Sequence, residues 1–454
     1  MELTSLLKNI TGNAELICGS FREVYLFSSY NENSIALADS LDKKQGRAFV
    51  FFNVPEELIK NTEKANTEFL TCDIRNFDFN EINNKTRLFV FALNKDTEDN
   101  ADILRSLKEK LSSFENATLF GFYDNEKNYE AITKSLSSEK DEKNSIRLID
   151  LVRLPIYQLL YEKGYELIFK KAVNGSVKEI NAVILGLNSF GTEMLKALSW
   201  YCQMDGYRLQ LDVFSDSQKA REDFISLCPE LMSEQLNGRY DIEGEARYKI
   251  NIHLLSDFKD LLPTLPKTTF LFVSAGNCTE NLTEAERLYS QLKENGCSPS
   301  VVVAAEGLPY KYSFENDSKT ECIGDIPSVF CESAITDCEL EALALSRHLK
   351  WGEEKEFYLN RYCYNSSLAS TIHKKARLLC GILGADKPSK ERNEAELMSI
   401  RILEHRRWNA FVRSEGYSYS GSLLKSSRND AKKLHNCLVP FGELPLQEQE
   451  KDDD

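Results

Sequence analysis

The chain has 454 residues, of which 42% are hydrophobic and 10% aromatic, so it contains enough apolar material for several packed cores. With 71 acidic and 56 basic residues its formal net charge is −15, which argues against a broad nucleic-acid footprint. Its 12 cysteines include no CxxC pair, and no segment reaches the roughly 18 consecutive apolar residues of a membrane-spanning helix.

These features predict a cytoplasmic protein with reduced thiols, no nucleic-acid partner and no direct membrane insertion. The stretch Met1–Leu16 has neither a basic start nor a continuous apolar core, so we expect no signal peptide.

The first half alternates apolar runs with helix-length segments. Glu23–Leu41 and Leu88–Leu104 are each expected to form a strand, a loop and a helix, and further buried strands are expected at Arg47–Asn53, Glu68–Cys72 and Ala117–Tyr123. Continuous apolar runs of this kind are typical of parallel sheets covered by helices on both faces. After the fifth strand, Ser145–Ala172 is expected to form helices that lead out of this half.

The second half repeats this plan. Val183–Leu198 and Phe270–Leu288 are each expected to form a strand, a loop and a helix, and further strands are expected at Arg208–Phe214, Tyr248–Leu255 and Ser300–Glu306. Asn281 and Glu284 have the spacing of a capping box, which predicts a helix start there. A helical stretch, Cys338–Trp351, follows. The predicted fold class is therefore α/β, with two tandem doubly wound parallel sheets and a small, mainly helical C-terminal domain.

The turn after the first strand of the second half has a sequence pattern similar to that of a dinucleotide-binding turn. Gly186 permits the tight turn, Gly191 permits close packing of helix on strand, and the helix that begins at Ser189 offers free amides to a phosphate. Asn188 stands where the second glycine of such a turn belongs. The turn is either a nucleotide site or a structural remnant of one.

Other candidate residues belong to the same sheet edge. Asp216 follows the second strand and could hold ribose hydroxyls, although Ser215 is an alternative for that place. Gly276 and Asn277 end the fourth strand and could face a base or second ribose. The corresponding loop of the first half, Ser28–Asn33, has no glycine, which favours a scaffold or dimerisation role for that half.

The second half, over about 180–351, resembles the TrkA N-terminal (RCK-type) NAD-binding domains that gate potassium transport. The likeness lies in VILGLNSFG, VSAGNCTENL and CIGDIPSVF, and the first half resembles the family more loosely. The resemblance implies a Rossmann fold, nucleotide sensing with NAD or another adenine nucleotide, and a homodimer, but no catalysis.

The C-terminal region reads as two helices joined by a polar linker, Ala385–Glu394. The first, Tyr362–Leu383, is expected to start at the N-capping residues Asn365–Ser367. The second lies in Ala395–Ser420, with its charged residues on a separate face from its apolar ones and its end at Gly416.

The last sixty residues are similar to the RyR domain, the repeat named after ryanodine receptors. The matching motifs are EHRRW (Glu404–Trp408), GYSY (Gly416–Tyr419), RND (Arg428–Asp430) and HNCLVPFGELP (His435–Pro445). The resemblance implies a ligand-binding module in which paired repeats hold an adenine nucleotide stacked on a tryptophan. By position that residue is Trp408, with Tyr417 where the family usually has a second tryptophan.

The residue types around this motif suit a nucleotide. Cations for phosphate are Arg407, Arg413, Arg428 and Lys433, and groups for ribose or phosphate are His405 and His435. The alternative is that Trp408 and Tyr419 form the core of a small domain. Since the chain has one repeat, a second chain would complete a paired pocket.

We expect domains over 1–172, 173–352, 353–394 (a helical linker) and 395–454. No GxSxG, HExxH or metal-binding pattern is present in the sequence, so a catalytic role is not predicted. The predicted function is cytosolic sensing of a small nucleotide-derived ligand, in a bacterial antiphage signalling context. The alternatives are an NAD- or nucleotide-processing enzyme gated by the C-terminal module, and a soluble gating subunit for a separate channel or effector.

Overall fold

The computed structural model describes residues 21–42, 44–59, 64–79, 82, 85–112, 114, 116–136, 145–312, 314 and 320–452. The stretch Met1–Leu16, in which we expect no signal peptide, lies outside these ranges. Cys18 and the last two residues, Asp453 and Asp454, also lie outside them. Across the described residues, no helix combines the length and apolar character needed to cross a membrane.

The first sheet has six parallel strands in the order β3-β2-β1-β4-β5-β6. Their bounds are β1 Glu23–Phe27, β2 Arg47–Phe51, β3 Thr67–Phe69, β4 Arg87–Phe91, β5 Ala117–Tyr123 and β6 Ser145–Asp150. The central strands are buried on both faces, as their continuous apolar sequence predicts.

Helices of the first half are α1 (Glu32–Leu41), α2 (Glu56–Ile59), α3 (Thr97–Lys110) and α4 (Glu126–Leu136). One face of the sheet packs against α3 and α4, and the other against α1. The second face is rich in aromatic side chains, with the Tyr25 and Phe89 rings stacked at 4.7 Å.

The second sheet repeats this topology, with the strand order β12-β11-β10-β7-β8-β9. Its strands are β7 Lys178–Leu185, β8 Tyr207–Ser215, β9 Lys249–Leu254, β10 Phe270–Val273, β11 Ser300–Ala304 and β12 Thr320–Ile323. Numbered within each half, both sheets have the order 3-2-1-4-5-6 of a Rossmann-like fold. The predicted α/β class with two tandem doubly wound sheets is confirmed.

The remaining α-helices are named in chain order. They are α5 Arg153–Leu167, α6 Ser189–Tyr201, α7 Gln218–Leu227, α8 Phe258–Leu261, α9 Cys278–Glu294, α10 Ile326–Val329, α11 Glu332–Ile335, α12 Glu339–His348, α13 Glu354–Leu359, α14 Arg361–Leu379, α15 Glu394–Ser414 and α16 Leu446–Gln449. A two-stranded sheet of β13 (Ser418–Tyr419) and β14 (Leu434–His435) completes the mainly helical C-terminal region.

The chain forms two compact units, and each is built from segments that are separated in the sequence. The first contains the described residues up to Leu154 together with Ile326–Glu339 and Trp351–Cys363. Here Phe330 and Ile335, which follow the second sheet in sequence, pack on the aromatic face of the first sheet. The second unit combines Pro155–Asp325 with Leu340–Lys350 and everything from Tyr364 onward. The four-range division expected from sequence stays a prediction.

Three local expectations were wrong. Each half has a sixth strand, because Ser145–Asp150 pairs with β5 instead of starting a helix, and β12 pairs with β11. The predicted N-caps Asn365–Ser367 lie inside α14, whose first amides, those of Tyr362 and Cys363, donate to the Asn360 side chain instead.

The second C-terminal helix follows the prediction at both ends. α15 begins with a capping box between Asn393 and Glu396. It ends just before Gly416, which has φ +86° and lies so close to Leu227 that a Cβ would approach the Leu227 carbonyl oxygen at 2.6 Å. Both the left-handed backbone and the close approach require glycine.

Candidate functional site

The β7–α6 turn has the tight geometry of a nucleotide-binding turn. Gly186 has φ +89°, and a Cβ there would lie 2.6 Å from the Ser274 carbonyl oxygen. A Cβ on Gly191 would lie 1.9 Å from the Gly186 carbonyl oxygen, so the first turn of α6 sits directly on the loop. Packing alone therefore requires glycine at both positions.

Asn188 caps α6 and fastens the turn to the neighbouring strand loop. Its Oδ1 accepts from the Gly191 amide at 3.1 Å, and its Nδ2 donates to the Ser274 carbonyl. Within the described part of the chain, the amides of Ser189 and Phe190 have no hydrogen-bond partner. Asn188 thus occupies one amide of the helix terminus and leaves two available to an anion.

Ser215 and Asp216, at the end of β8, lie in different environments. Ser215 is buried and donates to the Ser217 carbonyl at 2.8 Å, so its hydroxyl is engaged in the turn. Asp216 is accessible to solvent. Partial burial raises the pKa of the Asp216 carboxyl, and a hydrogen bond from the Leu187 backbone amide opposes this shift. That hydrogen bond places Asp216 beside the glycine turn.

The helix that follows the β10–α9 loop begins about one turn earlier than predicted. The capping box is formed by Asn277 and Glu280, whereas Asn281 lies inside α9. The buried Asn281 amide group binds both the N–H and the carbonyl of Gly276, and it donates to the Ala304 carbonyl at 2.9 Å. Asn281 therefore holds the loop in place instead of capping the helix.

The equivalent loop of the first unit uses the same device. Asn100 in α3 accepts from the Asn94 amide at 2.7 Å and donates to the Asn94 carbonyl at 2.8 Å. Asn100 in the first unit and Asn281 in the second therefore anchor equivalent loops.

A cavity of about 550 Å³ lies beside the β10–α9 loop of the second unit. Its apolar lining comes from Leu185, Leu255, Phe258 and Ala275, and its charged lining from Lys259, Glu280, Glu284 and Arg287. Of the residues predicted from sequence, Gly276 lines this cavity. Phe258 and Lys259, from α8, and Arg287, from α9, were missed because neither helix carries a motif at these positions.

The C-terminal region brings most of its predicted ligand residues together. The half-buried Trp408 ring stacks on His405 at 5.7 Å and meets the edge of His435 at 4.9 Å. Tyr417 lies 6.3 Å from His435. We call Trp408, Tyr417, His405 and His435 the ring cluster.

Two cations and a carboxylate border the ring cluster. Lys433 Nζ lies 5.4 Å from the centre of the Tyr417 ring, and the exposed Arg428 pairs with Asp430 at 2.9 Å. Burial raises the pKa of Tyr417 to about 12, and the Asp430 charge adds to this. Burial and the Arg428 charge lower the pKa of His435 to about 4, so His435 is neutral at pH 7. Asp430 was not predicted as a site residue.

Trp408 also contacts a small core. Its ring packs with Ile402 and Tyr419 against buried Cys437, Val439, Phe441 and Leu444. Since part of the indole remains exposed, the geometry is compatible with both readings of Trp408, as a stacking surface and as a core residue.

The structure does not bring Arg407 and Arg413 to the ring cluster. Arg407 is buried and binds Glu404 at 2.7 Å, and Arg413 is buried and binds Glu245 at 2.6 Å. The charged residues of α15 were expected on a separate face from the apolar ones, and on that helix Arg407 and Arg413 are buried in ion pairs. His405 is engaged as well, donating from Nε2 to the Val439 carbonyl at 2.8 Å.

No cluster of histidine, cysteine and acidic side chains suited to a metal ion occurs among the residues with described positions. Comparisons with known protein families, curated proteins and solved structures found no match to this chain.

Proposed function

We propose that the protein is a nucleotide-sensing regulatory protein whose ring cluster binds a small nucleotide-derived ligand. The observation that carries the proposal is the meeting of the Trp408, Tyr417 and His435 rings with Lys433 and Arg428. The RyR-like motifs supply the same residues, which supports assigning this region to that family.

The chemistry of the cluster matches the parts of a nucleotide. The partly exposed indole of Trp408 can stack on a base, a contact worth about 1–3 kcal/mol. Arg428 and Lys433 are exposed cations that suit phosphate oxygens. His435, neutral at pH 7 and 6% exposed, accepts from the Cys437 amide through Nδ1, which leaves its Nε2 proton to donate to a ribose hydroxyl.

The second sheet supplies a further candidate nucleotide site, for NAD or another adenine nucleotide. The amides of Ser189 and Phe190 suit a phosphate, the accessible Asp216 suits ribose hydroxyls, and the cavity beside Gly276 offers apolar surface for a base. The TrkA-type assignment of this sheet and the homodimeric body that the assignment implies are part of the proposal. The antiphage setting and a separate effector or channel partner belong to the same proposal.

One pair of side chains favours the rival class, an NAD- or nucleotide-processing enzyme. His253 Nε2 lies 3.1 Å from the buried Asp212 carboxylate, and the His253 side chain is 27% exposed. A carboxylate-oriented histidine of this kind can act as a general base. Incubation with NAD separates the classes, since a sensor returns NAD intact and an enzyme consumes it.

Calorimetry of the full-length protein with NAD, NADH, ATP and ADP-ribose tests the proposal. Trp408→Phe and Arg428→Gln should each weaken binding at the ring cluster several-fold while leaving the thermal midpoint near that of the parent. Matched controls are Trp351→Phe, an exposed tryptophan in the first unit, and Arg239→Gln. Arg239 is exposed and pairs with Asp241 two residues on, as Arg428 does with Asp430.

If none of these nucleotides binds, or if both ring-cluster variants bind like their controls, the ring cluster is not the ligand site. Trp408 is then a core residue, and the sensing proposal loses its main support.

A further inference from the structure

The segment Leu227–Glu230, at the end of α7, contacts the end of α15 within the second unit. A Cβ on Gly416 would lie 2.6 Å from the Leu227 carbonyl oxygen, so the two backbones approach closely. The Cys228 thiol donates to the Ser414 carbonyl at 3.2 Å, and both residues are buried. Leu227–Glu230 is therefore held against the C-terminal region by its backbone and by its side chains.

Glu230, the last residue of this segment, accepts a backbone hydrogen bond from the C-terminal region. Its Oε2 accepts from the Tyr419 amide, and its Oε1 lies 3.4 Å from Arg413 Nε. Arg413 is 1% exposed and also binds Glu245, so packing fixes its guanidinium in place. Arg413 thereby orients the Glu230 carboxylate toward Tyr419. A carboxylate is a stronger acceptor for an amide than a neutral oxygen is.

The Tyr419 amide differs from its neighbours in where its partner comes from. Four of the five amides in Gly416–Ser420 donate to carbonyls of the C-terminal region itself, namely those of Arg413, Val412, Lys433 and His435. The fifth, the Tyr419 amide, donates to Glu230. Because the amides on either side of it bond to β14, the Tyr419 amide points to the opposite edge of β13. Glu230 therefore covers the edge of β13 that β14 leaves uncovered.

The two-stranded sheet of β13 and β14 carries part of the ring cluster. Tyr417 directly precedes β13, and Tyr419 pairs in register with His435 of β14. The Tyr419 ring also packs on the small core that Trp408 contacts. A shift of β13 would therefore move the Tyr417 and His435 rings relative to Trp408.

We propose that Glu230 is a positioning residue of the ring-cluster site, supplied by the segment after α7 and not by the C-terminal region. It holds the outer edge of β13 and so keeps Tyr417 and His435 in place beside Trp408. Glu230 acts through the Tyr419 backbone and not through contact with the ligand. The inference rests on the proposed function in one respect, that the ring cluster is the ligand site.

Fluorine NMR of the full-length protein labelled with fluorotryptophan tests the position of the cluster without a ligand. The chain has three tryptophans, and Trp408→Phe identifies the resonance of Trp408. Glu230→Ala should shift that resonance and leave the resonance of Trp351, in the first unit, unchanged. The matched control is Cys228→Ala, which removes another contact of the same segment but keeps the β13 edge covered. It should leave the Trp408 resonance where it is in wild type.

Calorimetry with ATP as the probe tests the consequence for binding. Glu230→Ala should weaken ATP binding at the ring cluster several-fold, whereas Cys228→Ala should bind ATP like wild type. If wild type binds neither ATP nor the other nucleotides, the proposed function fails. The fluorine NMR result then still decides whether Glu230 positions the cluster.

If Glu230→Ala does not fold, hydrogen exchange of the wild-type protein decides the matter. Fragmentation mass spectrometry at single-residue resolution should show the Tyr419 amide protected like the amides of Ser418 and Ser420. Three results would overturn the inference. They are a Tyr419 amide that exchanges at the rate of an unprotected one, a Trp408 resonance that is the same in Glu230→Ala and wild type, and an ATP affinity that Glu230→Ala leaves unchanged.

Discussion

Arg413 Nη1 lies 2.6 Å from Glu245 Oε1, with 1% and 3% of the two side chains exposed. The pair joins α15 to the segment between α7 and β9, and Asn409 donates to the same carboxylate oxygen at 3.1 Å. Glu230 adds a second carboxylate 3.4 Å from the Arg413 guanidinium. α15 and the segment that leads into β9 therefore share a buried polar contact within one compact unit.

Removing one partner of this ion pair should destabilise the second unit strongly. In Arg413→Met the Glu245 carboxylate stays buried without its counter-charge, so we expect a loss of about 3–5 kcal/mol in the free energy of unfolding. The double variant Arg413→Met/Glu245→Gln should recover part of that loss. Urea unfolding followed by circular dichroism measures both, and a loss below about 1 kcal/mol in Arg413→Met would contradict this account.

The same pair should make stability depend on acid. Burial tends to raise the pKa of Glu245, but the Arg413 charge, its hydrogen bonds and the Ala246 amide together hold it below its usual 4.5. A depressed carboxyl pKa stabilises the fold above the usual pKa of 4.5, and this contribution is lost as pH falls through the folded value. The stability difference between wild type and Glu245→Gln should therefore be constant above about pH 5 and shrink below about pH 4. A difference that grows on acidification would have the wrong sign.

The buried Asn281 side chain gives a prediction that depends on which of its two amide atoms faces the loop carbonyls. In Asn281→Asp a carboxylate oxygen would face the Gly276 and Ala304 carbonyl oxygens in place of the Nδ2 donor. We expect Asn281→Ala to cost about 1–3 kcal/mol and Asn281→Asp to cost more at pH 7. Asn277→Ala, which removes only the exposed cap of α9, should cost about 1 kcal/mol. If Asn281→Asp is as stable as wild type, the amide does not hold the loop.

Asn277 and Asn281 show where local sequence patterns stop being informative. Each is followed three residues later by a glutamate, so both have capping-box spacing. Only tertiary contact distinguishes them, because Asn281 reaches the Ala304 carbonyl at the end of β11. The strand-helix alternation, by contrast, is a local pattern, and it was sufficient to predict the parallel sheets.

The two missed strands have a similar explanation. The apolar run of β6 continues without a break into α5, so periodicity cannot separate them, and β12 is a short strand with partly exposed residues. In the C-terminal region, motif likeness predicted the residues that meet at Trp408. It could not predict that Arg407 and Arg413 turn inward. The Glu404–Arg407 pair has an i,i+3 spacing that is the same on a buried and on an exposed helix face, and Glu245, the partner of Arg413, is identified only by tertiary packing.

Substituting Gly191 by a larger residue should disrupt the β7–α6 turn. The Cβ introduced by Gly191→Val would collide with the Gly186 carbonyl, a backbone group that cannot move without displacing the loop. We expect a loss of about 1–3 kcal/mol and of any nucleotide binding at the second sheet. Gly442→Ala is the control, since a Cβ there meets nothing within 4 Å. Calorimetry with NAD and thermal unfolding report the two effects, and unchanged values of both in Gly191→Val would show that the turn is not constrained as described.

Native mass spectrometry of the protein purified from its own host tests the central claim, nucleotide sensing, most directly. The account predicts twice the 51.9 kDa chain mass plus a nucleotide-derived ligand that is retained in Trp351→Phe and lost or depleted in Trp408→Phe. The mass of the ligand would identify it, and its stoichiometry would show whether each chain binds one. A ligand-free chain mass that stays unchanged when nucleotides are added, or a ligand equally occupied in Trp408→Phe and wild type, would contradict the account.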